Sequence, residues 1–83
     1  MIYDGNKYKA VIGNIGATIT RKSDNAEVFM QGDDRDEIES QMDALDATAE
    51  KGYPIGPFKS YEQHIDAILD AYDDVMRNYH ETL

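Results

Sequence analysis

The sequence predicts an α+β fold, a three-stranded antiparallel meander followed by two helices packed on one of its faces (βββαα), in one domain spanning residues 1–83. Three observations predict it. Apolar residues alternate at every second position up to Met30. After Gly32 they recur at helical spacing. The switch between the two periods falls on turn-forming residues.

The first two strands, "KYKAVI" and "IGATIT", flank Gly13-Asn14, a two-residue hairpin signal. With those two residues as the turn, Ile12 faces Ile15, Ala10 faces Ala17 and Tyr8 faces Ile19, all on one face. Lys7, Lys9, Thr18 and Thr20 sort to the other face, and a one-residue slip would scramble that sorting. The turn-rich "KSDN" then sets Arg21 opposite Ala26, Ile19 opposite Val28 and Ala17 opposite Met30. The apolar face thus continues into a third strand, "AEVFMQ". The open face carries Val11, Glu27 and Phe29 beside the lysines and threonines.

Gly32 ends the sheet. Ile38, Met42, Leu45 and Ala49 form one helical stripe, and Gly52 supplies the stop. Asp33 or Asp34 is the expected N-cap, with Glu37 reaching back to Asp34 as in a capping box. "GYPIGPFKS" is a connector, because Pro54, Gly56 and Pro57 forbid a helix. Its Tyr53, Ile55 and Phe58 either cap the end of the core or offer a rigid apolar contact. The last helix starts at Ser60 with Gln63 completing a capping box. Tyr61, Ile65, Ile68, Leu69, Tyr72, Met76 and Tyr79 make its broad apolar stripe.

No catalytic residue is expected. There is no cysteine, and Ser23, Ser40 and Ser60 sit in turn, helix-surface and cap contexts. His64 reads as a rim histidine. It and His80, sixteen residues apart on a helix, would stand roughly 24 Å apart and share no metal. "DDRDE" lacks the spacing of a calcium loop. No metal and no cofactor is expected. The N-terminus lacks a basic-then-apolar signal region, and no apolar run approaches the roughly 20 residues of a membrane span. The expected location is the cytoplasm.

Charge is the informative feature. The chain carries 17 acids and 8 bases, a net charge of -9. Residues 1–31 hold four bases and three acids, whereas residues 32–83 hold four bases and fourteen acids. Direct nucleic-acid binding is not expected, because no basic footprint exists. Repulsion from anionic membranes follows from the same sign.

Helix initiation accounts for Asp33, Asp34, Asp36 and Glu37, each of which gains about 0.3–1 kcal/mol from the helix dipole. It does not account for Glu39, Asp43, Asp46 and Glu50, or for Asp66, Asp70, Asp73 and Asp74. On ideal helices Glu39 meets Asp43, Asp46 meets Glu50, Glu62 meets Asp66, Asp66 meets Asp70, and Asp70 meets Asp74. Among the acids of the last helix, only Asp73 meets a base, Arg77. Such like-charge pairs together cost on the order of 1–2.5 kcal/mol. Two explanations of these acids stand. They keep the protein soluble, or they face a basic groove that normally holds nucleic acid. Carboxylates at i and i+4 rise roughly 6 Å apart, a sparse copy of one DNA strand. They suit a groove plug better than a full replica of a duplex.

The stretch "ATITRKSDNAEVFMQGDDRDEIESQMDAL", residues 17–45, resembles the hairpin-then-acidic-helix segment of small phage-encoded proteins, several anti-CRISPR proteins among them. The resemblance lies in size, acidity, lack of cysteine and the strand–"QGDD"–helix junction. It implies a non-enzymatic inhibitor in the host cytoplasm that binds a CRISPR surveillance or nuclease complex and blocks target-DNA binding. Glu39, Asp43, Asp46, Glu50, Asp66, Asp70, Asp73 and Asp74 are then the expected partner-binding residues, acting as a partial DNA mimic. The alternative is a protein-interaction module or homodimer that uses Phe29 with Tyr53, Ile55 and Phe58.

Overall fold

A computed structural model of the protein, which describes residues 1–77, contains four strands rather than three. β1 (Ile2–Asp4), β2 (Tyr8–Ile12), β3 (Ala17–Arg21) and β4 (Glu27–Met30) form an antiparallel meander in sequence order. β1 escapes a periodicity reading because it has only three residues, of which Tyr3 alone is buried.

The β3–β4 register is the expected one, with Ala17 opposite Met30 and Ile19 opposite Val28. The β2–β3 register is not. Ile12 pairs with Ala17, Ala10 with Ile19 and Tyr8 with Arg21, two residues away from the expected partners. The turn is Asn14-Ile15, closed by a 2.8 Å bond from the Gly13 N–H to the Gly16 carbonyl. None of its residues has positive φ, so the conformation that makes Gly-Asn a hairpin signal is unused. A shift of two keeps every side chain on its face, which is why alternation could not detect it. Gly16 has its own reason to be glycine: a Cβ there would overlap the Phe29 ring lying over it.

α1 (Gly32–Ala49) begins one residue after the sheet ends. Gly32 takes φ +61 and turns the chain directly into the helix. The N-cap is therefore Gln31, without a side-chain bond, and not Asp33 or Asp34, which already lie in the first turn. Gly52 ends the helix region at φ +84, its N–H bonded to the Ala49 carbonyl at 2.9 Å.

In the connector, Ile55 and Phe58 exchange two 2.9 Å backbone bonds, and Phe58 stacks on the His64 ring at 4.4 Å. The Tyr53 phenol reaches His64 Nδ1 at 3.0 Å. α2 (Tyr61–Leu69) opens as expected, with Ser60 Oγ accepting the Gln63 N–H at 3.1 Å. Gln63 Oε1, however, accepts from the Lys59 N–H at 2.7 Å, not from that of Ser60.

The last helix is shorter than its apolar stripe suggests. After Leu69 the chain tightens into a 3₁₀ segment (Asp70–Val75), and Met76 is extended. Arg77 and Glu27 then exchange two 3.0 Å backbone bonds beside β4. That long-range pairing draws the chain off the helical path, so Arg77 does not meet Asp73 as a helical neighbour. Met76 is still buried. Tyr79 and His80 lie outside the described residues.

The core lies between sheet and helices. Tyr8, Ala10, Ile12, Ala17 and Ile19 meet Ile38, Met42, Leu45, Ile65 and Leu69. One face of the sheet is thereby covered. Val11 and Phe29 remain exposed on the other. No helix of the described residues is long and apolar enough to cross a membrane.

Candidate functional site

The buried stripe of α1 (Ile38, Met42, Leu45) fixes its outward face at 100° per residue. That face carries Asp33, Asp36, Ser40, Asp43, Ala47 and Glu50, all exposed. Asp43 stands about 10.5 Å along the axis from both Asp36 and Glu50. No lysine or arginine lies on this stripe within the helix, and Lys51 follows directly after Glu50 at its end. Arg35, on its flank, is used internally. Its Nε donates to the Gly13 carbonyl at 2.9 Å, its Nη1 to Asp36 at 3.1 Å and its Nη2 to Glu39 at 2.9 Å.

The eight acids expected to bind a partner divide into two groups. Asp43, Glu50 and Asp74 are exposed and make no hydrogen bond or ion pair among the described residues. The other five have work inside the fold. Glu39 takes Arg35. Asp46 accepts the Tyr3 phenol at 2.9 Å and the Tyr61 phenol at 2.6 Å, joining β1, α1 and α2. Asp66 accepts three successive backbone N–H groups, those of Asn6, Lys7 and Tyr8, at 3.0–3.1 Å. Successive amides of this kind form an anion-binding nest, and the protein fills it with its own carboxylate. A Cβ on Gly5 would overlap that carboxylate, so glycine is required there.

Asp70 and Asp73 share the buried Tyr8 phenol at 2.9 and 2.7 Å. Asp73 also takes Arg21 Nη1 at 2.9 Å, while the rest of that guanidinium grips Asp24 at 2.8 and 2.9 Å. Self-repulsion along the helix is therefore the wrong picture for Asp46, Asp66, Asp70 and Asp73. Their partners are phenols, amides and an arginine of the sheet.

These contacts shift titrations. The Tyr3 phenol is pushed up to about 12 by burial and then by Asp46. Tyr8 is raised by its bond to Asp73 and then by burial, and Tyr61 by burial and then by Asp46. Arg21 holds Asp24 down at about 2, and the Tyr8 phenol followed by Arg21 lowers Asp73. Both carboxylates thus sit below the ordinary 3.8, so their stabilisation is present above that pH and is lost as the pH falls toward about 2. Acid unfolding followed by circular dichroism is expected to steepen in that window. Asp73→Asn should lower stability at pH 7 and flatten the acid limb. An acid limb unchanged by the substitution would refute the linkage.

The apolar residues of the alternative reading are not brought together. Phe29 projects from the open side of the sheet, 52% exposed. Tyr53 and Phe58 pack on His64 in the helical layer, and Phe58 lines a groove of ≈ 490 Å³ with Tyr8 and Asp66. Asp33 and Asp36, set aside in the sequence as helix initiation, prove to share the outward stripe with Asp43 and Glu50. A helical wheel centred on Ile38, Met42 and Leu45 carries that signal. No protein family, curated protein or solved structure matches the chain.

Proposed function

We propose that this protein is a non-enzymatic inhibitor that seats the outward face of α1 in a basic, nucleic-acid-binding groove of a CRISPR surveillance or nuclease complex and blocks its target DNA. One observation carries the reading. Asp33 and Asp43 stay exposed and unpaired on a helix of 18 residues, about 27 Å long, with Glu50 at its C-cap and no lysine or arginine on that face before Lys51. The fold has uses for carboxylates elsewhere, Asp33 included at the helix N-terminus, and none for Asp43 and Glu50. Lysines and arginines that normally grip phosphates would meet them at one-sided spacing, as a plug and not as a duplex.

The test is a DNA-binding assay on purified surveillance complexes and nucleases. Wild type is expected to prevent binding of target DNA by at least one of them. Asp43→Lys/Glu50→Lys should lose roughly 10–100-fold in potency. Glu62→Lys/Asp74→Lys makes the same change in net charge on α2 and the 3₁₀ segment, and should stay within a few-fold of wild type by the same reasoning. Equal losses in the two variants would show that net charge acts and not the α1 face. Failure of wild type on every complex would remove the proposal.

A further inference from the structure

We infer that the open face of the sheet is a self-association surface, on which two copies stack face to face about a two-fold axis running parallel to the strands over β3. The register places two rows across this face. One row is Ile2, Val11, Thr18 and Phe29, each opposite the next on neighbouring strands. Ile2, Val11 and Phe29 are 66%, 41% and 52% exposed, so the row is apolar and uncovered. The second row is Asp4, Lys9, Thr20, Glu27 and, through the backbone bridge beside β4, Arg77. Its charges run minus, plus, neutral, minus, plus.

A two-fold axis over β3 reverses the order of each row against itself. Asp4 then meets Arg77 of the second copy, Lys9 meets Glu27, and Thr20 meets Thr20. Lys9 and Glu27 thereby gain the opposite charge that each lacks within its own chain, while Asp4, already paired with Lys22, gains a second cation in Arg77. In the apolar row Val11 meets Phe29 of the second copy across Thr18. The parallel axis is the aligned mode of sheet packing, in which strand directions stay within about 30°. Lys9 and Glu27 stand two strands apart, about 10 Å, and neither makes an ion pair within the chain among the described residues.

Charge also selects the occupant. The molecule carries -9, yet these four charged residues sum to zero, and Lys22 on Asp4 adds one positive charge at the edge of the row. Two copies can approach here without the repulsion that the acidic helical layer would impose. Four strands about 4.8 Å apart and five residues at about 3.4 Å rise give a patch of a few hundred Å². Stable interfaces bury about 800 Å² per partner. The dimer is accordingly weak, with a dissociation constant of roughly 10–100 µM. It leaves the outward face of α1 uncovered on both copies, and it stands or falls independently of the inhibitor reading.

Sedimentation equilibrium up to about 1 mM tests it. Wild type is expected to dimerise reversibly. Lys9→Glu should weaken the dimer about tenfold, and so should Glu27→Lys, by placing like charges opposite each other. The double exchange Lys9→Glu/Glu27→Lys should return the constant to within about threefold of wild type. Phe29→Ser should weaken association without touching a charge. Glu27→Lys is decisive because it lowers the net negative charge, so tighter association in that variant would mean that overall repulsion governs and would overturn the pairing. A wild type that stays monomeric throughout, or a double exchange that stays as weak as the single variants, would overturn it as well. Far-UV circular dichroism of each variant confirms that the exposed substitutions leave the fold intact.

Discussion

Asp66→Ala is expected to destabilise the domain by about 3 kcal/mol, since hydrogen bonds to a charged group contribute about 1.5–3 kcal/mol. Domains of this size hold only about 5 kcal/mol in total, so the variant should unfold at a much lower urea concentration. Three amide N–H groups of the β1–β2 turn lose their acceptor at once. Water resolvates part of them, because the amides of Asn6 and Lys7 are exposed, and that keeps the loss below the sum of three full bonds. Asp66→Asn retains one carbonyl oxygen and should fall between the alanine variant and wild type. Urea denaturation at pH 7 measures both. A midpoint for Asp66→Ala equal to wild type would mean that the nest contributes nothing to folding.

Tyr8→Phe is expected to cost about 2 kcal/mol, for the same reason of a bond to charged acceptors. The ring stays buried in the core, but the proton between Asp70 and Asp73 is gone. The two carboxylates then face each other with Arg21 as the remaining partner of Asp73. A second readout separates this from a simple packing defect. A phenol raised above its ordinary 10 stabilises the fold fully below that pH and loses its contribution as the pH rises through its folded value. Wild type should therefore lose stability above pH 10, and Tyr8→Phe should lose less of it. Tyr3, at about 12, keeps part of the alkaline loss in both proteins. Identical alkaline limbs would contradict this role for Tyr8.

What could be read from the sequence and what could not follow from the range of the interactions. Alternation sorted the faces of β2, β3 and β4, and "KSDN" set Arg21 opposite Ala26, whose carbonyl accepts the Arg21 N–H at 2.8 Å. Ser60 was legible as a cap because its partner is three residues away. The β2–β3 shift was invisible because a displacement of two preserves parity. β1 was invisible because three residues with one inward side chain make no pattern.

The misreading of the acids has the same origin. Neighbours at i and i+4 are a property of one helix, whereas Asp46, Asp66, Asp70 and Asp73 bond to residues of the sheet far away in sequence. Arg77 likewise pairs with Glu27, far away in sequence, and no local signal near Arg77 announces it.

Tyr3, Tyr8 and Tyr61 offer neutral phenols to carboxylates, and the turn before β2 offers neutral amides. Dissolved salt screens one full charge from another far more than it weakens a short bond from a neutral donor. The screening length shrinks from about 8 Å at physiological ionic strength to about 3 Å at 1 M. Arg21–Asp73 is an ion pair between the sheet and the helical layer, but it stands beside phenol and amide bonds that do not depend on paired charge. Molar salt should therefore mute the field of the α1 face while the fold persists. On the proposed reading, folding and recognition answer to different ionic strengths, so salt alone is expected to release a captured partner and leave the protein intact.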